Sequence, residues 1–286
     1  NASKVHVAAG SAINADATIS GNGGQVAVWS DDHTVFRGSI SARGGSQGGD
    51  GGFVEVSGKQ RLAFAGTVDT HAPQGHTGTL LLDPADITIS SAVDSDITAA
   101  TTFSDLTDNG GVSNLNVTTL QTALGGSDVT VSTGTTSGAN AGTITVSDAV
   151  TWASARTLTL SANNHIAINA AVSGTSGTLR LFPGGNAGVA QSAPISVSRL
   201  VLAGAGNFTL TNAGNSIGTL STLGGLNYVN GALSLTNAGA LALDYVHSVG
   251  AFKLNVGGNL TQTANGVFAP SLELVSTAGS VTLANA

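Results

Sequence analysis

The sequence predicts an all-β fold, a right-handed parallel β-helix with coils of about 20–28 residues and a short helical excursion near residues 112–126. Three observations carry this reading. A unit of sequence recurs at intervals of 20–28 residues, short period-two strands lie inside each unit, and glycine-rich corners separate them. A fixed period of this length marks stacked repeats, because one unit cannot bury its apolar face alone and its neighbours cover it.

The first segment, residues 1–90, shows the unit most plainly. Residues 25–43 read QVAVWSDDHTVFRGSISAR and residues 53–71 read FVEVSGKQRLAFAGTVDTH. At an offset of 28, Val26 falls on Val54, Val28 on Val56, Phe36 on Phe64, Gly38 on Gly66 and Ile40 on Val68. At 26, Val54 and Val56 fall on Leu80 and Leu82. At 21, Val5, Val7 and Ile19 upstream fall on Val26, Val28 and Ile40. Alternation points every second side chain to one face, so equivalent positions should stack inward, coil upon coil, at about 4.8 Å. Differences in offset fall in turns such as ARGGSQGGDG, which loop outward without disturbing the strands.

Residues 91–146 interrupt the rhythm. Within VSNLNVTTLQTALGG, Leu115, Leu120 and Leu124 are spaced as on a short amphipathic helix, with Gly125 as its stop. This helix is expected to cap or flank the solenoid. From residue 147 to 286 the coils tighten to about 20 residues: Leu158, Leu179 and Leu200 are 21 apart, and Leu233, Phe252 and Leu272 are 19 and 20 apart.

Composition excludes several function classes. Gly numbers 40, charged residues make up 9%, aromatic residues 4%, and Cys and Met are absent, so small and β-branched side chains must build the core. No apolar run of about 18 residues exists to span a membrane as a helix. Trp29, Trp152, Tyr228, Tyr245 and eight Phe are too few and scattered for the aromatic girdles of a membrane barrel. With net charge −7 and nine basic residues spread singly, no stripe exists to neutralise nucleic-acid phosphates. The lack of Cys removes disulfides and thiolate chemistry and suits a chain that stays unfolded while crossing an envelope. No signal peptide precedes Asn1, and KVHVAAG already reads as a strand, so the chain is expected to be a piece of something longer.

Two motifs, GGDGGFVEVSGK (residues 48–59) and LLLDPADITI (residues 80–89), together with the later TWASARTLTLSANNHIAINAAVSG (residues 151–174), resemble exoproteins and adhesins of the filamentous-haemagglutinin type. The resemblance covers residues 1–175 by motif and the rest by rhythm. It implies a β-helical shaft, secretion by a Gram-negative bacterium through an outer-membrane transporter, and an extracellular or cell-surface location. The implied role is structural: a rigid shaft of an adhesin or a biofilm-matrix fibre. Its partners would be further copies or lengths of the same chain and a host or matrix glycan.

The residues that carry chemistry point to no catalysis, no cofactor and no metal. Glycoside cleavage needs two carboxylates at a fixed separation, yet Glu55 and Glu273 are the only Glu, and each lies between apolar residues and so points outward. A carbohydrate-binding or carbohydrate-cleaving β-helix is the alternative, and it requires a groove of aromatics or carboxylates. Asp31 over Lys59 and His33 over Arg61 read as exposed cross-coil pairs. His71 and His76 flank one loop without a carboxylate or Cys to complete a ligand set. Asp83 before Pro84 reads as a strand end at a corner. Asn163, Asn164 and Asn169 are expected to bond the turning backbone or stack between coils. Sequons at Asn1, Asn116, Asn207 and Asn259 mark candidate glycosylation sites. Neither end carries a capping element, so further chain or another subunit is expected to cover both.

Overall fold

The computed structural model describes residues 2–93, 112–134, 142–222, 228–263 and 265–283. Much of the predicted excursion, residues 94–111 and 135–141, and the sequon at Asn1 lie outside them. The described residues form an all-β fold of long parallel sheets with one helix, Val117–Gly126. Two compact units result: Asn1–Ile144 with Arg156–Leu158, and Thr145–Ala155 with Thr159–Ala286.

In the first unit three parallel sheets grow in step. One contains Gln25–Ser30, Phe53–Gly58, Thr79–Asp83 and Asp128–Ser132; the second contains Lys4–Val7, His33–Phe36 and Arg61–Phe64; the third contains Ala12–Asn14, Ser39–Ser41 and Thr67–Asp69. The register is the one set by the offsets of 28 and 26: Val26 pairs with Val54 and Val28 with Val56, then Val54 with Leu80 and Val56 with Leu82. Phe36 pairs with Phe64, and their rings stack at 5.6 Å with planes 11° apart. That stack needs Gly66, where a Cβ would come within 2.2 Å of the Phe36 ring. Val28, Val54, Val56, Leu80, Leu82, Phe36 and Phe64 are all buried. Val26 is half-buried instead, because Gln25–Ser30 is the edge strand of its sheet.

The offset of 21 at the start is wrong. Val5 and Val7 pair with Thr34 and Phe36, not with Val26 and Val28, and Ile40 pairs with Ile13 while Ile19 is exposed. KVHV imitates VAVW in pattern but enters the second sheet, and alternation alone cannot tell one sheet of a coil from the next. His33 and Arg61 do stack, in one column with Lys4. Both are buried rather than exposed, however. Alternate exposure presumes a sheet with one wet face, and all four residues of each of these strands are buried. Thr34 shows the polar price: its hydroxyl donates to the Ser57 carbonyl at 2.7 Å and lies 2.8 Å from Ser30 Oγ.

The helix starts later than the sequence reading has it: Ser113–Asn116 is a strand on which Leu115 pairs with Ile89, and the helix runs from Val117 through Gly125 to Gly126. Asn116 is its N-cap, accepting from the Thr118 N–H at 2.9 Å, and Leu120, Ala123 and Leu124 form its buried face. It packs on Thr67–Asp69, the edge strand of the third sheet. Ser127, just past its end, receives the Thr70 N–H and hydroxyl. The helix therefore shields backbone groups that would otherwise face outward from that edge.

In the second unit one sheet carries Val172–Pro183, Ile195–Leu202, Ser216–Thr222, Leu241–Leu243, Leu260–Gln262 and Val281–Thr282. The other carries Ile166–Ile168, Val189–Gln191, Phe208–Leu210, Leu233–Asn237, Phe252–Val256 and Leu272–Ser276. Leu179 pairs with Leu200 and Leu181 with Leu202; Leu233 pairs with Phe252 and Phe252 with Leu272. Leu158, Leu179 and Leu200 are fully buried. Two buried amides tie neighbouring turns. Asn215 Oδ1 accepts the Ile195 N–H at 2.8 Å and Asn237 Oδ1 accepts the Ile217 N–H at 2.7 Å, while each Nδ2 donates to backbone carbonyls. Trp152, also buried, lies over Gly174, whose absent Cβ would come within 2.1 Å of the indole.

Candidate functional site

A third, smaller pair of strands in the second unit, Val246–His247 and Val267–Phe268, brings together rings that the sequence scatters. Val246 is fully buried, so its neighbours Tyr245 and His247 face outward. Val229 bridges in parallel to Ser248, which sets Tyr228 beside His247, and His247 in turn pairs with Phe268. The result is a column of rings from three successive turns. Tyr228 and His247 have centroids 4.5 Å apart, and His247 and Phe268 are 5.9 Å apart with planes 64° apart. Tyr245 flanks the column, 5.7 Å from Phe268 and edge-on to His247 at 6.5 Å. Phe268 is 52% exposed. Beside it lies an open depression of ≈ 480 Å³ formed with Val249, Val267, Ala269 and Pro270.

Polar groups border the rings. Asp244, which precedes Tyr245, accepts from Asn265 Nδ2 at 2.6 Å and Thr263 Oγ1 at 3.0 Å, and pairs with the Arg199 guanidinium. The Asn265 amide and then Arg199 hold its carboxyl well below the usual carboxylate range. Asp244, Arg199, Asn265 and Thr263 thus form a hydrogen-bonded polar group next to Tyr245.

The two Glu lie in different units. Glu273 pairs with Lys253 at 3.2 Å on an exposed face. Glu55 has a carboxylate neighbour that lies far from it in sequence. Asp83 lies on the adjacent strand, where burial first, and the Glu55 charge to a lesser degree, push its carboxyl up against a Ser132 hydrogen bond that lowers it. Asp83 does end its strand, with Pro84 at the corner. His71 is engaged by Arg156 at 3.1 Å, and among the described residues no three His, Asp or Glu gather as metal ligands.

All three described sequon asparagines have structural work as well. Asn207 and Asn259 accept N–H groups one turn on, at Ala232 and Ser280. Asn116 spends its Nδ2 on the Ser91 and Ala92 carbonyls, the very nitrogen a glycan would need. Asn215 and Asn237 are inter-turn amides that are themselves buried, and no motif in the sequence marks them.

Compared with known proteins, the chain matches no family model and no curated protein.

Proposed function

We propose that the strands wind as a right-handed β-solenoid and that the chain is a structural, non-enzymatic element: a stiff shaft of a bacterial surface adhesin or extracellular matrix fibre. The observation that carries the reading is the register itself. Val26, Val54, Leu80 and Val129 follow one another in parallel pairing, as do Phe208, Leu233, Phe252 and Leu272. A chain that returns to the same inward position each turn builds length and stiffness from backbone ladders and aliphatic stacks, each buried Val, Leu or Ile contributing about 1.5–3 kcal/mol. The motifs resembling filamentous-haemagglutinin-type exoproteins support the surface location and export through an outer-membrane transporter.

Negative-stain electron microscopy of the purified chain, with small-angle scattering in solution, tests the shaft. Rods of uniform width are expected, and compact particles with an aspect ratio near unity overturn the reading. Incubation with polygalacturonate or alginate tests the non-enzymatic part, where no cleavage is expected and turnover would refute it.

A further inference from the structure

We propose that Asp83–Pro84 is a self-cleavage site, at which the Asp83 side chain cuts its own peptide bond with water as the only co-reactant. The inference stands apart from the shaft reading: a chain that stayed whole would leave that reading intact and defeat this one.

Asp83 closes the strand Thr79–Asp83, and no other Asp of the chain precedes a Pro. Its carboxyl is poorly served. The Ser132 hydroxyl bonds it, but Oδ1 is buried and accepts a hydrogen bond from none of the described residues. A buried acceptor without a donor is costly and asks for an explanation. Turning the corner does not supply one, because Asn or Ser would bond the turning backbone as well without carrying an acid into the interior. The acid form is the one this place favours: burial first, and the Glu55 charge on the adjacent strand, both hold the carboxyl protonated above its ordinary range.

Proline decides the course of the reaction. Lacking an N–H, Pro84 cannot attack the Asp83 side chain and close the cyclic imide open to other Asp-containing pairs. The opposite attack remains. A carboxyl oxygen of the neutral acid adds to the Asp83 main-chain carbonyl carbon, the carboxyl proton passes to the Pro84 nitrogen, and the C–N bond breaks with its electron pair leaving on the amine. The product is a five-membered cyclic anhydride, which water opens to restore the Asp83 side chain and give it a free α-carboxyl. The neutral acid supplies both nucleophile and proton, so a site that keeps it neutral reacts at a higher pH than an exposed Asp-Pro pair. Both sides of the cut are held. Asp83 pairs with Ser57 and Leu82 with Val131, while the Pro84 carbonyl accepts the Gly134 N–H at 3.2 Å and the Ala85 N–H donates to the Gln60 carbonyl at 3.4 Å. Cleavage therefore nicks the chain and leaves residues 1–83 and 84–286 paired through their strands.

Mass spectrometry of the full chain, incubated at about pH 5 with and without urea, tests the site. Fragments ending at Asp83 and beginning at Pro84 should form in the folded chain at a rate at least about threefold that of the urea-unfolded chain. The nicked product should elute as one species in size-exclusion chromatography until urea is added. Asp83→Asn should abolish the cut. Ser132→Ala, which removes the bond that favours the carboxylate, should quicken it, and Glu55→Gln, which removes the neighbouring charge, should slow it. Cleavage no faster in the folded than in the unfolded chain shows only the ordinary acid lability of an Asp-Pro pair and overturns the proposal. So does a cut that persists in Asp83→Asn, or a folded-chain rate unmoved by both Ser132→Ala and Glu55→Gln.

Discussion

Neighbours set the charge of Asp244 and of Asp83 in opposite directions, and pH separates the two. Asp244 is held below its ordinary value of 3.8 by Asn265 and Arg199, so the native state binds this proton less readily than the unfolded chain. The resulting stabilisation is complete above that ordinary value and is lost as pH falls below it. Asp244→Asn should therefore lower the melting temperature at neutral pH, with the deficit shrinking in acid. Asp83 is raised, chiefly by burial. Its contribution is most favourable below 3.8 and is lost as pH rises through the folded-state value. Asp83→Asn should raise the melting temperature near neutrality and make little difference at about pH 3; an equal effect at both pH values would contradict the burial argument. Core positions obey a simpler rule. Val54→Asp should cost several kcal/mol by burying an unpaired carboxylate, whereas Ala27→Asp, on the exposed face of the partner strand, should be nearly silent in a denaturant titration.

At the scale of elements, legibility follows length. Six-residue strands such as FVEVSG carry enough alternation to fix both register and face, so Val54, Val56 and Phe64 could be placed from spacing alone. The ring column could not. It rests on strands of two residues, Val246–His247 and Val267–Phe268, and on one bridge at Val229, too short for any periodicity to show. The burial of His33 and Arg61 was hidden for another reason: a sheet covered on both faces abolishes the alternation on which exposure is inferred. The helix was readable because Leu120 and Leu124 repeat at four residues over a capped stretch. Its role as cover for Thr67–Asp69 was not, since sequence carries no mark of which edge a helix lies on. Leu124→Ala, fully buried against that edge, should cost about 2–5 kcal/mol. Amide exchange should then quicken first in residues 67–70, and uniform loss of protection across the first unit would show that the helix is not a local cover.

For the whole molecule, the paired strands give parallel sheets and the repeats give their register, while closure into a solenoid and a role at the cell surface are the proposal. Composition supports the division of labour. Aliphatic stacks and inter-turn amides make up the interior, and chemistry-bearing groups are sparse: nine basic and sixteen acidic residues in 286. That composition fits the proposed role in spacing and display.

The pairing of Leu233 with Phe252 and of Phe252 with Leu272 also makes the chain a ruler with a fixed graduation. Removing residues 252–271 in one piece would set Leu272 above Leu233 and Leu274 above Leu235, leaving every inward side chain inward. Removing a single residue from Phe252–Val256 would invert the face of what remains of that strand. The excision should fold with a melting temperature close to that of the parent chain, and the one-residue deletion should not. Length in such a chain can therefore be gained or lost without disturbing the core only in whole turns.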